Sequence, residues 1–474
     1  MIANLRKDLP EVLSTAWPLM LSTGLFSVTL FVDRWMLYGF SDSAAAAALG
    51  AGTILWSINC LPIGICGYTN TFVAQYLSAN RPSRALQVVW QGVLLGLLCG
   101  PFLFALGLFS EPLFSLVGHE RHLAEQEAEY FVWLIPGTWA TIIASSLTGL
   151  FSGSGRSMIL LYTDMVVTVV NGFLDYVLIF GVFGFPVMGV RGAALASSIA
   201  LILKLVVLAW MASRDFRRKS GIMHANQDLE TVEERGTRVR DLLKRDWPLM
   251  QRLVHFGWPA GVSVVAEAWC FTAIMVFVGR LGDQAAAATT LALNVNLLAF
   301  IPLVGLGTAI GVLVGKYLVQ EQVEKAKRMV FSGLLIGIAY SLIFVILYGF
   351  FPEWVMTIYS FDSDPERFEK MRPVLKPLLL FIACYCVFDA FQMVFVGALK
   401  GAGDTRFVLG GHLFAGIATL IGGIAFSRWE GMGGLYYWWS VITVWVILLA
   451  VIFTLRYLQG GWQTKRVIEA QIVE

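Results

Sequence analysis

Twelve apolar runs, each long enough to cross a bilayer as a helix, fix what this chain can fold into. A helix needs about 20 predominantly apolar residues to span the hydrocarbon. Runs of that length lie at roughly 10–36, 48–78, 88–110, 128–152, 160–182, 189–212, 253–278, 287–318, 328–350, 372–400, 406–427 and 432–457. They are much longer than barrel strands and lack alternation of period two, which excludes a transmembrane barrel. The expected class is all-α integral membrane, with twelve transmembrane helices.

The charged residues say how the spans are threaded. Only 14% of the 474 residues are charged, against about 25% in soluble domains. Lys and Arg are retained on the cytoplasmic side. With the N-terminus inside, 24 of the 34 fall in inner loops and termini and 9 in outer loops, Lys204 lying within span 6. Both termini are expected to be cytoplasmic. The net charge of +2 gives no reason to expect a nucleic-acid partner. Ten basic and seven acidic residues crowd into 213–252, the long polar stretch, which reads as a solvated linker with a surface helix near 237–246. The expected organisation is an N-terminal six-helix lobe over 1–212, this linker, and a C-terminal six-helix lobe over 253–474. The six cysteines all sit in apolar runs and read as small core residues.

The halves repeat. Trp17-Pro18 aligns with Trp258-Pro259, Asp42 and its alanine run with Asp283 and its own, Gly64 with Gly305, Tyr76-Leu77 with Tyr317-Leu318, and Arg84-Ala85 with Lys325-Ala326, all 241 positions apart. Gly149, Gly153 and Gly155 align with Gly397, Gly401 and Gly403 at an offset of 248, as GxxxGxG at the inner end of the fourth span of each half. An even number of spans per half gives parallel repeats, as in several transporter folds, where one half rocks against the other. The glycines suit close helix packing and tight turns.

A carboxylate near mid-membrane is unfavourable by about 2.5–3.5 kcal/mol on insertion scales, and such groups usually mark function. The candidates are Asp33 in span 1, Asn171 and Asp175 one turn apart in span 5, Glu267 in span 7, and Tyr385 and Asp389 one turn apart in span 10, followed by Gln392. Asp164 reads as interfacial and Lys204 as a snorkelling side chain. The acids break the repeat: Glu267 aligns with Phe26, Asp33 with Ile274 and Asp389 with Thr141. Residues that only pack would tend to follow it. A carboxyl withdrawn from water holds a proton more readily, and carboxylates with a Tyr or Asn oxygen suit Na⁺, so exchange of H⁺ or Na⁺ for a substrate is the expected chemistry. No pair of the five histidines has metal-ligand spacing, and no phosphate-binding loop or nucleophile cluster is present, so the chain does not read as an enzyme.

These features resemble the multidrug and toxic compound extrusion (MATE) family, NorM-like branch. The resemblance rests on the two Trp-Pro pairs, the GxxxGxG turns, and Phe180-Gly181-Val182-Phe183-Gly184-Phe185-Pro186 with Gly189-Val190-Arg191-Gly192-Ala193-Ala194 between spans 5 and 6. It covers roughly 8–457. It implies two pseudo-symmetric six-helix bundles in a V-shaped MATE-like fold. It also implies a monomeric secondary antiporter of a bacterial inner membrane, exporting amphipathic, often cationic, compounds against Na⁺ or H⁺ with no cofactor. By the same resemblance, Asp33, Asn171 and Asp175 form the proton-coupling network of the N-terminal lobe. Glu267, Tyr385 and Asp389 form the cation site of the C-terminal lobe, with Na⁺ the metal that Glu267 and Asp389 would hold. The chain departs from the family in the spacing Asp33-Arg34-Trp35-Met36-Leu37-Tyr38-Gly39, one residue longer than usual, and in Arg34 beside the acid. A lipid-linked oligosaccharide flippase of the same broad superfamily is the alternative, though it would call for basic rather than acidic groups in the membrane.

Overall fold

A computed structural model of the protein describes residues 2–117, 121–218, 242–360, 365–427 and 431–469. Every apolar run is a helix, and twelve helices among the described residues are long and apolar enough to span a membrane. In chain order they are α1 (Ile2–Phe40), α2 (Asp42–Gly67, resuming as Thr69–Ser78), α3 (Pro82–Leu108), α4 (Arg121–Gly153), α5 (Ser157–Phe180), α6 (Val190–Arg218), α7 (Trp247–Gly279), α8 (Asp283–Val319), α9 (Val323–Phe350), α10 (Pro365–Ala402), α11 (Thr405–Ala425) and α12 (Gly431–Leu458). No strand occurs among the described residues. Most of the 213–252 linker, and with it the first half of the expected helix near 237–246, lies outside the described residues, as do Asp362 and Asp364.

The described chain divides into two compact units. Unit N comprises Leu21–Val262 and Val467–Glu474, and unit C comprises Met1–Met20 and Ser263–Arg466. The first half of α1 thus belongs with unit C, and the first half of α7 with unit N. The exchange points, 20/21 and 262/263, lie within one residue of equivalent positions of the repeat. Glycine makes both dockings close. A Cβ built on Gly64 would lie 2.4 Å from the Gly261 Cα in unit N, and one on Gly305 would lie 2.5 Å from the Leu19 carbonyl oxygen in unit C.

The GxxxGxG motifs divide the same two tasks. Gly397 and Gly401 let α10 press on α8, since their Cβ atoms would fall 2.1 and 2.2 Å from the Gly307 and Gly311 carbonyl oxygens. Gly149 and Gly153 do the same for α4 against Thr69 and Asn70. The third glycine of each motif, Gly155 and Gly403, has φ of +73° and +96°. There the chain turns left-handed, where an L side chain is strained.

An ion pair locks each turn. In unit N, Arg156 grips Asp215 with both terminal nitrogens, Nη1–Oδ1 3.1 Å and Nη2–Oδ2 2.5 Å. In unit C, Asp404 accepts from Arg456 Nε at 2.9 Å and from Lys465. Arg156 aligns with Asp404, and Asp215 with Arg456. The bridge is repeated with its charges reversed.

A second device recurs, once in each unit, at Tyr76 and at Tyr317. The Tyr317 hydroxyl donates to Glu11, beside Lys316 and Lys325. The Tyr76 hydroxyl donates to Glu469 at 2.7 Å, with Arg252 nearby. Position 252 is the repeat partner of Glu11 and carries the opposite charge. The carboxylate there comes instead from the C-terminal segment, which Gln75 also holds by accepting the Val467 N–H at 2.9 Å. Burial alone would raise the Glu469 carboxyl, but a backbone N–H, the Tyr76 hydroxyl and the Arg252 and Arg84 cations hold it below the usual range.

Cysteine packing departs from expectation at one position. Cys384 is exposed, whereas Cys386, two residues on, is buried. Side chains two apart on a helix point in different directions.

Candidate functional site

In unit N the helical period brings the predicted residues together. Asp33 on α1 faces Asn171 and Asp175 on α5, which share a face because four residues make about one turn. Asn171 and Asp175 are 1% and 0% exposed, and Asp33 is 7% exposed. Ser197 of α6 ties them: Asn171 Nδ2 donates to Ser197 Oγ at 3.4 Å, and Ser197 Oγ donates to Asp33 Oδ2 at 3.1 Å. The Asp33 and Asp175 carboxyls lie together, with no donor between them unless one carries a proton. Tyr130 of α4 and Arg34 are within electrostatic reach. Four buried acceptors there meet no donor: Asp33 Oδ1, Asn171 Oδ1 and both Asp175 oxygens. Leaving a buried acceptor unpaired is unfavourable by about 1–3 kcal/mol, more when it is charged. A proton or a small cation would satisfy these acceptors.

Unit C arranges its residues differently. Tyr385 and Asp389 are buried on α10 at 2% and 3% exposure, and Asp389 is within electrostatic reach of Glu267 on α7. Glu267 is held by Gln392, one turn beyond Asp389, whose Nε2 donates to Glu267 Oε1 at 3.0 Å. Its other oxygen faces His412 of α11, with Nε2 to Oε2 at 3.6 Å. His412 Nδ1 lies 2.8 Å from the Val408 carbonyl oxygen. A carbonyl can only accept, so Nδ1 carries a hydrogen.

Sequence reasoning missed Ser197 and His412. His412 lies 145 positions from Glu267, and no spacing rule reaches that far. Ser197 was visible only as a hydroxyl in an apolar span, and hydroxyls there usually bond their own helix. Asp164 and Lys204, read separately as an interfacial acid and a snorkelling cation, in fact meet each other at 2.5 Å. Pairing inside the bundle removes the need for either to reach the membrane surface.

A family model described as MatE matches residues 18–177 and 259–423, one stretch in each half and well over half of the chain. The chain belongs to the MatE family. It is therefore a multi-pass membrane transporter and not an enzyme. Among relatives, it is 28% identical over 422 residues to the probable multidrug resistance protein NorM of Burkholderia mallei, covering 88% of this chain and 85% of that protein. It is 28% identical over 427 residues to the multidrug resistance protein PmpM of Pseudomonas aeruginosa, covering 88% and 84%. Among solved structures, that of the eukaryotic MATE transporter AtDTX14 shares the fold, with a TM-score of 0.79 at 18% identity over 97% of each chain.

Proposed function

We propose that this MATE chain is a secondary antiporter of a bacterial inner membrane, with both termini cytoplasmic, that exports drug-like or toxic organic compounds, often cationic, in exchange for H⁺ or Na⁺. The observation that carries the reading is the set of donorless acceptors on Asp33, Asn171 and Asp175. A coupling ion is what such a cluster lacks, and loading it would relieve a standing desolvation cost. Glu267, Tyr385 and Asp389 supply a second acidic site in unit C, and the names of the NorM and PmpM relatives suggest the substrate class.

The test is transport in proteoliposomes with an imposed H⁺ or Na⁺ gradient and ethidium or a fluoroquinolone as substrate. One gradient should drive export in the wild type. Asp33→Asn, Asp175→Asn, Glu267→Gln and Asp389→Asn should each lower the driven rate at least tenfold while the protein still inserts. Failure of both gradients in the wild type would overturn the antiport reading.

A further inference from the structure

The acids of unit N stand at one end of a longer polar line. On α5, Ser157, Asp164, Thr168, Asn171 and Asp175 recur at steps of seven, four, three and four. At 100° per residue these five side chains fall within about 40° of a single line on the helix, and they span about 27 Å of its length. That is close to the roughly 30 Å thickness of the hydrocarbon. On α1, Ser22, Thr29 and Asp33 repeat the seven and four spacing. On α6, Ser197 and Lys204 are seven apart.

The lines meet rung by rung. Ser22 Oγ donates to Asp164 Oδ2, and Lys204 Nζ lies 2.5 Å from Asp164 Oδ1. One rung further, the Thr29 and Thr168 hydroxyls are 3.0 Å apart. Next come Asn171, Ser197, Asp33 and Asp175. At the start of α5, Ser157 Oγ is buried without a partner. The seam joins three helices of one unit, and none of its rungs depends on a partner from outside it.

We propose that this α1–α5–α6 seam is the path by which the coupling ion passes between the unit N acids and the water at the face where α5 begins, with Asp164 as its relay carboxylate and Lys204 as the counter-charge that closes it when no ion is present. The proposal rests on the reading that the unit N acids load that ion. Polar contacts that only hold helices together need be satisfied in pairs. This line instead ends in donorless acceptors above and an unpartnered hydroxyl below, and it sets a formal ion pair within the apolar runs of α5 and α6, where charge usually marks an ion pathway. An incoming cation offers Asp164 a substitute for Lys204.

The first test reads hydration directly. In a cysteine-free background, Thr168→Cys is treated with a small cationic thiosulfonate in proteoliposomes, and Val169→Cys, which points outward at 72% exposure, is the control. The proposal expects position 168 to react from the face where α5 begins and position 169 to stay unreactive; a cysteine at 168 that reacts from neither face overturns it. The second test is driven export. Asp164→Asn should lower the rate at saturating ethidium at least tenfold with KM within threefold, and Asp164→Glu should restore at least half of the rate. A wild-type rate in Asp164→Asn also overturns it. Absence of driven transport in the wild type would instead sink the antiport reading, while the labelling result still judges the path.

Discussion

Replacing Arg156 or Arg456 by Met tests the charge-reversed bridges, because the same chemical change meets two different surroundings. Asp215, with its side chain 8% exposed, has Arg156 as its ion-pair partner and no second cation within reach among the described residues. Arg156→Met strands that carboxylate. Breaking a buried pair from one side is unfavourable by about 3–5 kcal/mol. Asp404, 3% exposed, keeps Lys465 when Arg456 is lost. Arg456→Met therefore removes one of two cations, an effect of about 1 kcal/mol, in the range of partly solvated pairs. The difference is about 2–4 kcal/mol. For a unit of this size, about 2 °C per kcal/mol gives Arg156→Met an unfolding midpoint roughly 4–8 °C below that of Arg456→Met. Thermal unfolding of the purified variants in one detergent at fixed salt measures it. Exchanging the partners, Arg156→Asp with Asp215→Arg, should recover at least half of the loss, as the reversed pair in the other unit already exemplifies. Equal midpoints for the two Met variants, or no recovery on exchange, would refute the reasoning.

Three other outcomes follow from the geometry. Gly401→Ala should destabilise by about 1–3 kcal/mol, the range for overpacking a close contact, because its methyl group meets the Gly311 backbone, which cannot swing aside; Gly155→Ala meets open space and adds only the left-handed strain, about 1 kcal/mol. Thermal unfolding ranks the two. The hold of Glu469 on Tyr76 should depend on pH. A carboxyl held below its usual range stabilises the folded state above its unfolded value, 4.5, and loses that contribution as pH falls through the folded value. The C-terminal segment should therefore resist carboxypeptidase at pH 7 and be progressively released as the pH falls below 4.5, and Glu469→Gln should weaken protection at pH 7. Finally, Ser197→Ala removes the hydroxyl that links Asn171 to Asp33, and it should shift the ion dependence of export more than the KM for substrate. An unchanged ion dependence would make Ser197 a packing residue.

What the sequence made legible and what it hid differ by range. Spans are local, and apolar length alone revealed all twelve. The repeat was legible because its offsets persist through loop residues such as Arg84 and Lys325. Asn171 with Asp175, and Tyr385 with Asp389, could be paired because one helical turn sets them side by side. Ser197 and His412 could not, since their partners lie on other helices and depend on helix rotation. The reversed bridges fall between these cases. Arg156 against Asp404 and Asp215 against Arg456 are opposite-sign changes at aligned positions, a signal that could be read without coordinates. Glu11 against Arg252 is another such change, but the compensating Glu469 lies in the C-terminal segment, 217 positions from Arg252, beyond the aligned spans.

The exchanged helix starts also bear on the order in which the protein can be made. Residues up to Met20 belong to unit C, whose next residue is Ser263. At about 5–20 residues per second, the intervening stretch of about 240 residues takes roughly 12–50 s to synthesise. For that interval the first stretch of α1 has been made while the unit that receives it has not. Unit N waits in turn for the start of α7, and for the segment that begins at Val467. Neither unit can therefore be completed and set aside during translation, and the membrane insertion machinery must tolerate an early helix whose final neighbours are still to come.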